Sequence, residues 1–352
     1  MRYLITGGSG YLGGRLVDHL SRRDDTERIV IADVKPPGPY KPKTEFRQLD
    51  VRDRAGVREL VAAARPDALV HLAFILNPIH DEGLMYEVDV NGTQNALDAA
   101  SAAGVQHVLV TSSATAYGAF PDNPVPLTED DPVRGSPGYA YARDKAEADR
   151  ICQLWALQHP DRKMTIVRPS IVFGPSVDNY IVRFWTKQPF QADLGNLDGP
   201  MQFVHEDDVV DALTGLLEGG HEGVFNLAGE GQITLREAAA VAGLPIRRMP
   251  LRPYRAFAAA MWRLKVSEAP PGQIEFARWP WVVSNEKLKR TLGWTPRHTS
   301  RQTFELTMRA QGERLGATLD DPGPLAQLGE RRLDKAEVAG SSPARPMLRA
   351  RR

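Results

Sequence analysis

Cysteine is almost absent: Cys152 is the only one in 352 residues. One thiol forms neither an internal disulfide nor a cysteine-based zinc cluster, so the expectation is a reducing, cytoplasmic setting in which Cys152 is a core residue. Net charge is missing as well. Lysine plus arginine total 44, as do aspartate plus glutamate. No global field therefore draws in nucleic acid or an anionic membrane, and the expected ligand is a small molecule. The sequence contains no run of about 18 apolar residues that would cross a bilayer. Nor does it open with a basic segment and apolar run of the signal-peptide kind. No metal site is read from it. With 42% hydrophobic and 25% charged residues over this length, the chain can bury a large core and divide into two lobes.

Glycine is plentiful at one place. Residues 1–16, MRYLITGGSGYLGGRL, read as a strand, a glycine turn and a helix, with Gly7, Gly8, Gly10 and Gly13 in the turn and Tyr11, Leu12 and Leu16 at helical spacing. Such a turn lets the backbone approach a pyrophosphate, and the helix start offers free N–H groups to it. The helix is expected over 10–20. RIVIAD at 28–33 reads as a strand buried on both faces and ends on Asp33. A carboxylate closing the second strand is placed to accept hydrogen bonds from an adenosine ribose and to repel a 2′-phosphate, favouring NAD over NADP. Lys35 nearby counts the other way.

Further strands are expected over 46–51, 68–74 and 105–111, with helices over 52–64 and 84–103. This β-α alternation predicts an α/β fold: a doubly wound parallel (Rossmann) sheet with right-handed crossovers and the ligand at the carboxyl ends of the strands. Beyond it the alternation weakens into proline breaks and aromatics, which predicts a smaller C-terminal substrate lobe. The expected division is a dinucleotide-binding domain over 1–168, to which 203–228 returns, and a substrate lobe over 169–202 and 229–318.

The chemistry lies at the end of the fifth strand. VLVTSSATAYG at 108–118 brings hydroxyls there, and YAYARDKAEAD at 139–149 carries Tyr141 and Lys145 one helical turn apart. An ammonium near a phenol stabilises the phenolate, so Tyr141 is expected to have a lowered pKa and to take a proton from a substrate hydroxyl, with a serine holding the oxygen. Tyr-x-x-x-Lys alone also describes an ordinary surface pair.

In combination these residues resemble the extended short-chain dehydrogenase/reductase family, the NAD-dependent sugar epimerases and dehydratases. The resemblance runs through TGGSGYLG at 6–13, LDV at 49–51, HLA at 71–73, VNGTQN at 90–95, TSSATAYG at 111–118, VRPSIVFGP at 167–175, FVHEDDVVDAL at 203–213 and FNLAG at 225–229. It implies that Gly7, Gly10 and Gly13, with Tyr11 and Leu12, cradle the pyrophosphate of NAD. Asp33 would bind ribose and Asp50 with Val51 the adenine edge. Ala73, Pro169 and Lys145 would line the rest of the cofactor groove. It further implies Tyr141 as acid/base, Ser113 as its partner and Lys145 as the third catalytic residue. Tyr139 is then a decoy and Asn91 a structural amide. The family's dehydratases carry an Asp-Glu pair after the catalytic threonine, where this chain has Ala114-Thr115, so epimerisation is expected instead.

The leading expectation is an NAD-dependent epimerase of a nucleotide-linked sugar, with NADP the less favoured cofactor. An NAD(P)-dependent dehydrogenase or reductase of a less polar alcohol is the alternative, and a non-catalytic dinucleotide-binding regulator is a third. Arg183, Arg252 and Arg278 are candidate phosphate ligands, although Trp279-Pro280-Trp281 stands where a family Gly-Asp pair would follow the arginine. The aromatic tract over 253–281 reads either as lobe core or as an apolar pocket wall. A homodimer is expected through the helices at 84–103 and 141–158. The last stretch, 319–352, reads as a disordered tail, with GSSPA at 340–344 matching what the T-arm of a tRNA gene encodes.

Overall fold

The computed structural model describes residues 1–314; the expectations for 319–352 fall outside them. Seven strands form one parallel sheet: β1 (Arg2–Thr6), β2 (Arg28–Asp33), β3 (Thr44–Gln48), β4 (Ala68–His71), β5 (His107–Thr111), β6 (Lys163–Pro169) and the late strand β11 (Gly223–Leu227). Their order is β11-β6-β5-β4-β1-β2-β3. The order reverses between β1 and β4, and the crevice at that reversal is where ligands of open α/β sheets bind.

Alternation along each strand sends side chains to opposite faces. Tyr3, Ile5, Ile29, Ile31 and Val70 pack beneath α1 (Tyr11–Ser21) and α7 (Glu206–Glu218). Leu4, Val30, Leu69, Val108 and Val110 pack beneath α2 (Arg54–Ala64), α4 (Gly92–Ala103) and α5 (Ala140–Gln158). Each such side chain is essentially fully buried, contributing about 1.5–3 kcal/mol before entropy is charged against it. Cys152 lies in the second of these cores.

The helix expected over 84–103 comes in three parts. A short α3 (Glu82–Tyr86), capped by the Asp81 carboxylate accepting from Leu84 N–H at 2.9 Å, runs into a π-turn at Glu87–Asn91 before α4 begins. The expected strands 46–51, 68–74 and 105–111 are each shorter or shifted by about two residues, because ladder pairing rather than apolar character sets their ends.

The second lobe is assembled from small pieces. Strand β7 (Ile171–Phe173) pairs with β10 (Phe203–His205), β8 (Gln191–Asp193) with β13 (Ile246–Arg248), and β9 (Pro200–Met201) with β12 (Ile233–Thr234). Around them pack α6 (Tyr180–Lys187), α8 (Leu235–Val241), α9 (Leu251–Arg263) and α11 (Ser300–Arg314). Helix α10 (Glu286–Leu292) seats Leu288 in the core of the first lobe. Thus within 203–228, α7 and β11 cover and extend the large sheet while β10 pairs with the small lobe. A buried ion pair ties α5 to the edge of the large sheet: Arg168 on β6 donates two bonds of 2.8 Å to Asp149 on α5 and a third, of 2.7 Å, to the Tyr117 hydroxyl. Tyr117 in turn donates to Asn226 Oδ1 on β11 at 2.8 Å.

Candidate active site

The glycine turn is set by close approach. Gly7 has a φ of +71°, and a Cβ there would lie 2.6 Å from Ala73 N; one on Gly13 would lie 2.2 Å from Gly7 O. Side chains at either position would fill the space in which β1, the turn and α1 meet. Helix α1 is preceded by Gly10 at its N-cap with no side-chain cap, so no side chain occupies its first N–H groups. Ser9 N–H donates to Asp33 Oδ2 at 3.1 Å and Lys35 N–H to Oδ1 at 3.2 Å, fixing the carboxylate at the end of β2 beside the turn.

A cavity of about 260 Å³ opens over the carboxyl ends of β1, β4, β5 and β6. Gly7, Gly10, Tyr11, Leu12 and Gly13 line it from one side; Ser113, Tyr141, Lys145 and Pro169 line it from the other. Asp33, Asp50, Val51 and Ala73 do not line it. They sit further along the strand ends, Ala73 with its backbone against Gly7 and Asp50 accepting from the Arg52 guanidinium at 3.0 Å. That guanidinium holds the Asp50 carboxyl below the usual range. The tie to the Val51 carbonyl comes from the amide of Asn95, at 3.0 Å, rather than from Asn91.

Ser113 caps a 3₁₀ turn at Ala114–Tyr117, and its Oγ accepts from Thr115 N–H at 3.2 Å and from the Thr115 hydroxyl at 2.9 Å. Lys145 is 4% exposed; its Nζ donates to Thr111 O at 2.7 Å and rests 3.5 Å from the centre of the Phe74 ring. The Tyr141 ring meets Phe74 edge-on at 5.7 Å.

The expected depression of the Tyr141 pKa is corrected here. Enclosure among these rings pushes the phenol above its ordinary value, and although the Ser113 hydroxyl works the other way, burial dominates. The Lys145 ammonium is spent on a backbone carbonyl and an aromatic face, 5.9 Å from the centre of the tyrosine ring. Burial lowers the pKa of Lys145 itself, opposed by the buried Asp89 carboxylate, whose own pKa burial raises.

Residues 3–228 match the NAD dependent epimerase/dehydratase family. The chain belongs to this family. It is similar to UDP-glucose 4-epimerase 2 of Oryza sativa subsp. japonica, 30% identical over 194 residues that make up 51% of this chain and 46% of the relative. A 3-diazoavenalumate denitrifying reductase of Streptomyces sp. matches at 27% over 316 residues, 85% of this chain and 97% of the reductase. In fold it resembles the UDP-glucose 4-epimerase of Thermotoga maritima determined with UDP-glucose, at a TM-score of 0.70 and 20% identity over 90% of this chain and all of that one. Among the described residues of this family member, no helix is long and apolar enough to cross a membrane.

Several cavity residues escape a reading of motifs. Thr115 bonds Ser113 directly. Tyr139, set aside as a decoy, has a buried hydroxyl bonded to that of Tyr180, 41 residues on, and its ring lies 5.8 Å from that of Tyr141. Gln273 reaches the same Tyr180 hydroxyl at 3.3 Å. For Tyr180 and Gln273 the one sequence signal is the aromatic density of the second lobe, whereas Thr115 and Tyr139 stand in the first. On α1, Tyr11 donates to the Glu206 carboxylate, which also accepts from Ser176 Oγ at 2.6 Å and lies 3.3 Å from Arg15.

Proposed function

We propose that the chain is an NAD-dependent enzyme interconverting an alcohol and a ketone at one carbon of a small molecule. The observation that supports it best is the convergence of the glycine turn with Ser113, Tyr141 and Lys145 on one cavity. The cradle fits the cofactor: the close contacts at Gly7 and Gly13 leave backbone exposed to a pyrophosphate, and the buried hydroxyls of Ser9 and Ser112 have no partner in the protein. Gly7, Gly10 and Gly13 with Tyr11 and Leu12 would hold the pyrophosphate. Asp33, Asp50 and Val51 would hold the adenosine end, and Ala73, Pro169 and Lys145 the remaining groove. A carboxylate at Asp33 favours NAD over NADP. When bound, the cofactor supplies the hydride acceptor and donor.

The side chains do the rest. Ser113 Oγ, already an acceptor from Thr115, donates its own proton to the substrate oxygen and fixes it beside Tyr141. With its pKa raised, Tyr141 stands protonated at neutral pH, ready to give a proton to a carbonyl oxygen during reduction and to recover it during oxidation.

Epimerisation of a nucleotide-linked sugar through a transient keto intermediate is one outcome of this chemistry. Two similar proteins named UDP-glucose 4-epimerase support it. Net reduction or oxidation of a less polar alcohol or ketone is the other, supported by the aromatic cavity walls and by the reductase relative, matched over nearly its whole length. Retention of NAD through many turnovers without NADH accumulating is the result expected of epimerisation. Stoichiometric NADH formation on adding an alcohol identifies net oxidation. Undiminished activity in Tyr141→Phe would overturn the assignment of Tyr141 as acid/base, whereas NAD binding with no turnover of either substrate class would leave the dinucleotide-binding regulator.

We also propose a homodimer through α5, where Leu154 and Leu157 stand 57% and 78% exposed. Leu157→Glu is expected to yield monomers in sedimentation.

A further inference from the structure

Beyond the catalytic cavity lies a second chamber of about 180 Å³, which shares Ile171, Ile181, Gln273, Phe276 and Trp281 with it as common wall. Its other walls include Phe184, Trp185, Tyr254 and Trp279, and none of its lining residues is charged. The nearby arginines are committed elsewhere. Arg278 lies 3.2 Å from Glu275 and over the Trp279 ring, while Arg183 bonds Asp178 and Glu268 at 2.8 Å each. Arg255 is also paired with Glu275, and Arg252 is exposed and lines neither chamber. A diphosphate taken into these walls would meet no cation, and uncompensated charge in a dry aromatic site is strongly disfavoured.

Among the chamber's residues, one fully buried polar atom has no partner. Gln191 on β8 is 4% exposed; its Nε2 donates to Ala192 O at 3.2 Å, but its Oε1 is buried with no partner. A buried acceptor of this kind calls for a donor. The chamber is smaller than the roughly 300–1,000 Å³ of pockets for drug-sized ligands, so it seats one or two rings.

We infer that the substrate is an uncharged, largely apolar alcohol or ketone whose far end carries a hydrogen-bond donor for Gln191 Oε1. This inference rests on the alcohol–ketone reading for the position of the reacting carbon at Ser113 and Tyr141. The assignment of the chamber to an apolar body does not.

Two readouts keep the inference and that reading apart. Quenching of tryptophan fluorescence reports occupancy of the chamber, since Trp185, Trp279 and Trp281 line it, and NADH consumption reports chemistry. The probes are 4-phenylcyclohexanone, 4-(4-hydroxyphenyl)cyclohexanone, UDP-glucose and UDP, added to the full chain loaded with NAD for binding and with NADH for turnover. Both ketones are expected to quench saturably, the hydroxylated one binding about fivefold to tenfold tighter, the worth of one net hydrogen bond. Gln191→Leu and Gln191→Met are both expected to erase that preference while leaving the affinity of the plain ketone unchanged. Quenching without NADH consumption would support the substrate class while the alcohol–ketone reading fails. Saturable quenching by UDP-glucose with competition by UDP, or equal affinity for the two ketones in the unaltered chain, would overturn the inference.

Discussion

Around Tyr141, the residues Ser113, Thr115 and Lys145 are tied into hydrogen bonds with named partners, and the Lys145 ammonium is held by the Thr111 carbonyl and the Phe74 ring. In the adjoining chamber the walls are aromatic and uncharged, and the side chains come from α6, β8, α9 and the segment after it. The first region is drawn from the strand ends with a wall added by the small lobe, the second from the small lobe alone. On the proposed reading, chemistry falls to the first and recognition to the second, which makes the two separable by mutation.

The largest separation is expected between two tyrosines whose rings lie 5.8 Å apart. Tyr141→Phe should lower turnover by about 10²–10⁴, the usual worth of a positioned acid or base, with NAD affinity retained in a titration. Tyr139→Phe, which removes only the bond to Tyr180, should leave kcat within a fewfold and act on KM. Equal losses in the two variants would remove the distinction between Tyr141 and its neighbour. Next comes the buried ion pair beneath the sheet edge: Asp149→Ala strands Arg168, which is 1% exposed, and should cost about 3–5 kcal/mol in urea unfolding without altering substrate preference.

Gly13→Ala places a methyl 2.2 Å from Gly7 O. It should weaken NAD binding by about 10- to 100-fold through the 1–3 kcal/mol of overpacking, leaving occupancy of the aromatic chamber intact. The remaining test is in pH. Burial raises the phenol of Tyr141 above its ordinary value, so the phenolate is a minor species at neutrality and its fraction grows with pH. Alcohol oxidation should rise about tenfold per unit from pH 6 to 9, while reduction, which uses the protonated phenol, stays level. A rate of oxidation that falls with pH would contradict the assignment of Tyr141 as base.

Much of the catalytic end is written in short-range patterns. A strand, a glycine turn and a helix are adjacent in sequence, and Tyr141 and Lys145 share a helix face by spacing alone, so both were legible. The ends of β3 and β4 were less so, because a neighbouring strand sets them. The pKa of Tyr141 was misread for a related reason: spacing places Lys145 one turn away, but the Thr111 carbonyl that captures its ammonium belongs to another element. The chamber was illegible in detail. The bond between Tyr139 and Tyr180 and the idle oxygen of Gln191 depend on the small lobe folding back, and aromatic density between 253 and 281 does not say which rings face inward.

Glu206 carries a consequence for descent. Its carboxylate, 2% exposed, is held by the Tyr11 phenol and the Ser176 hydroxyl, with Arg15 alongside. A change to an apolar residue at 206 strands the Tyr11 phenol on α1 and leaves Arg15 only Asp207 and Ser176. These four positions, separated by as many as 195 residues, are expected to be inherited as a set. Lineages that lose the acid at 206 should also have replaced the tyrosine at 11.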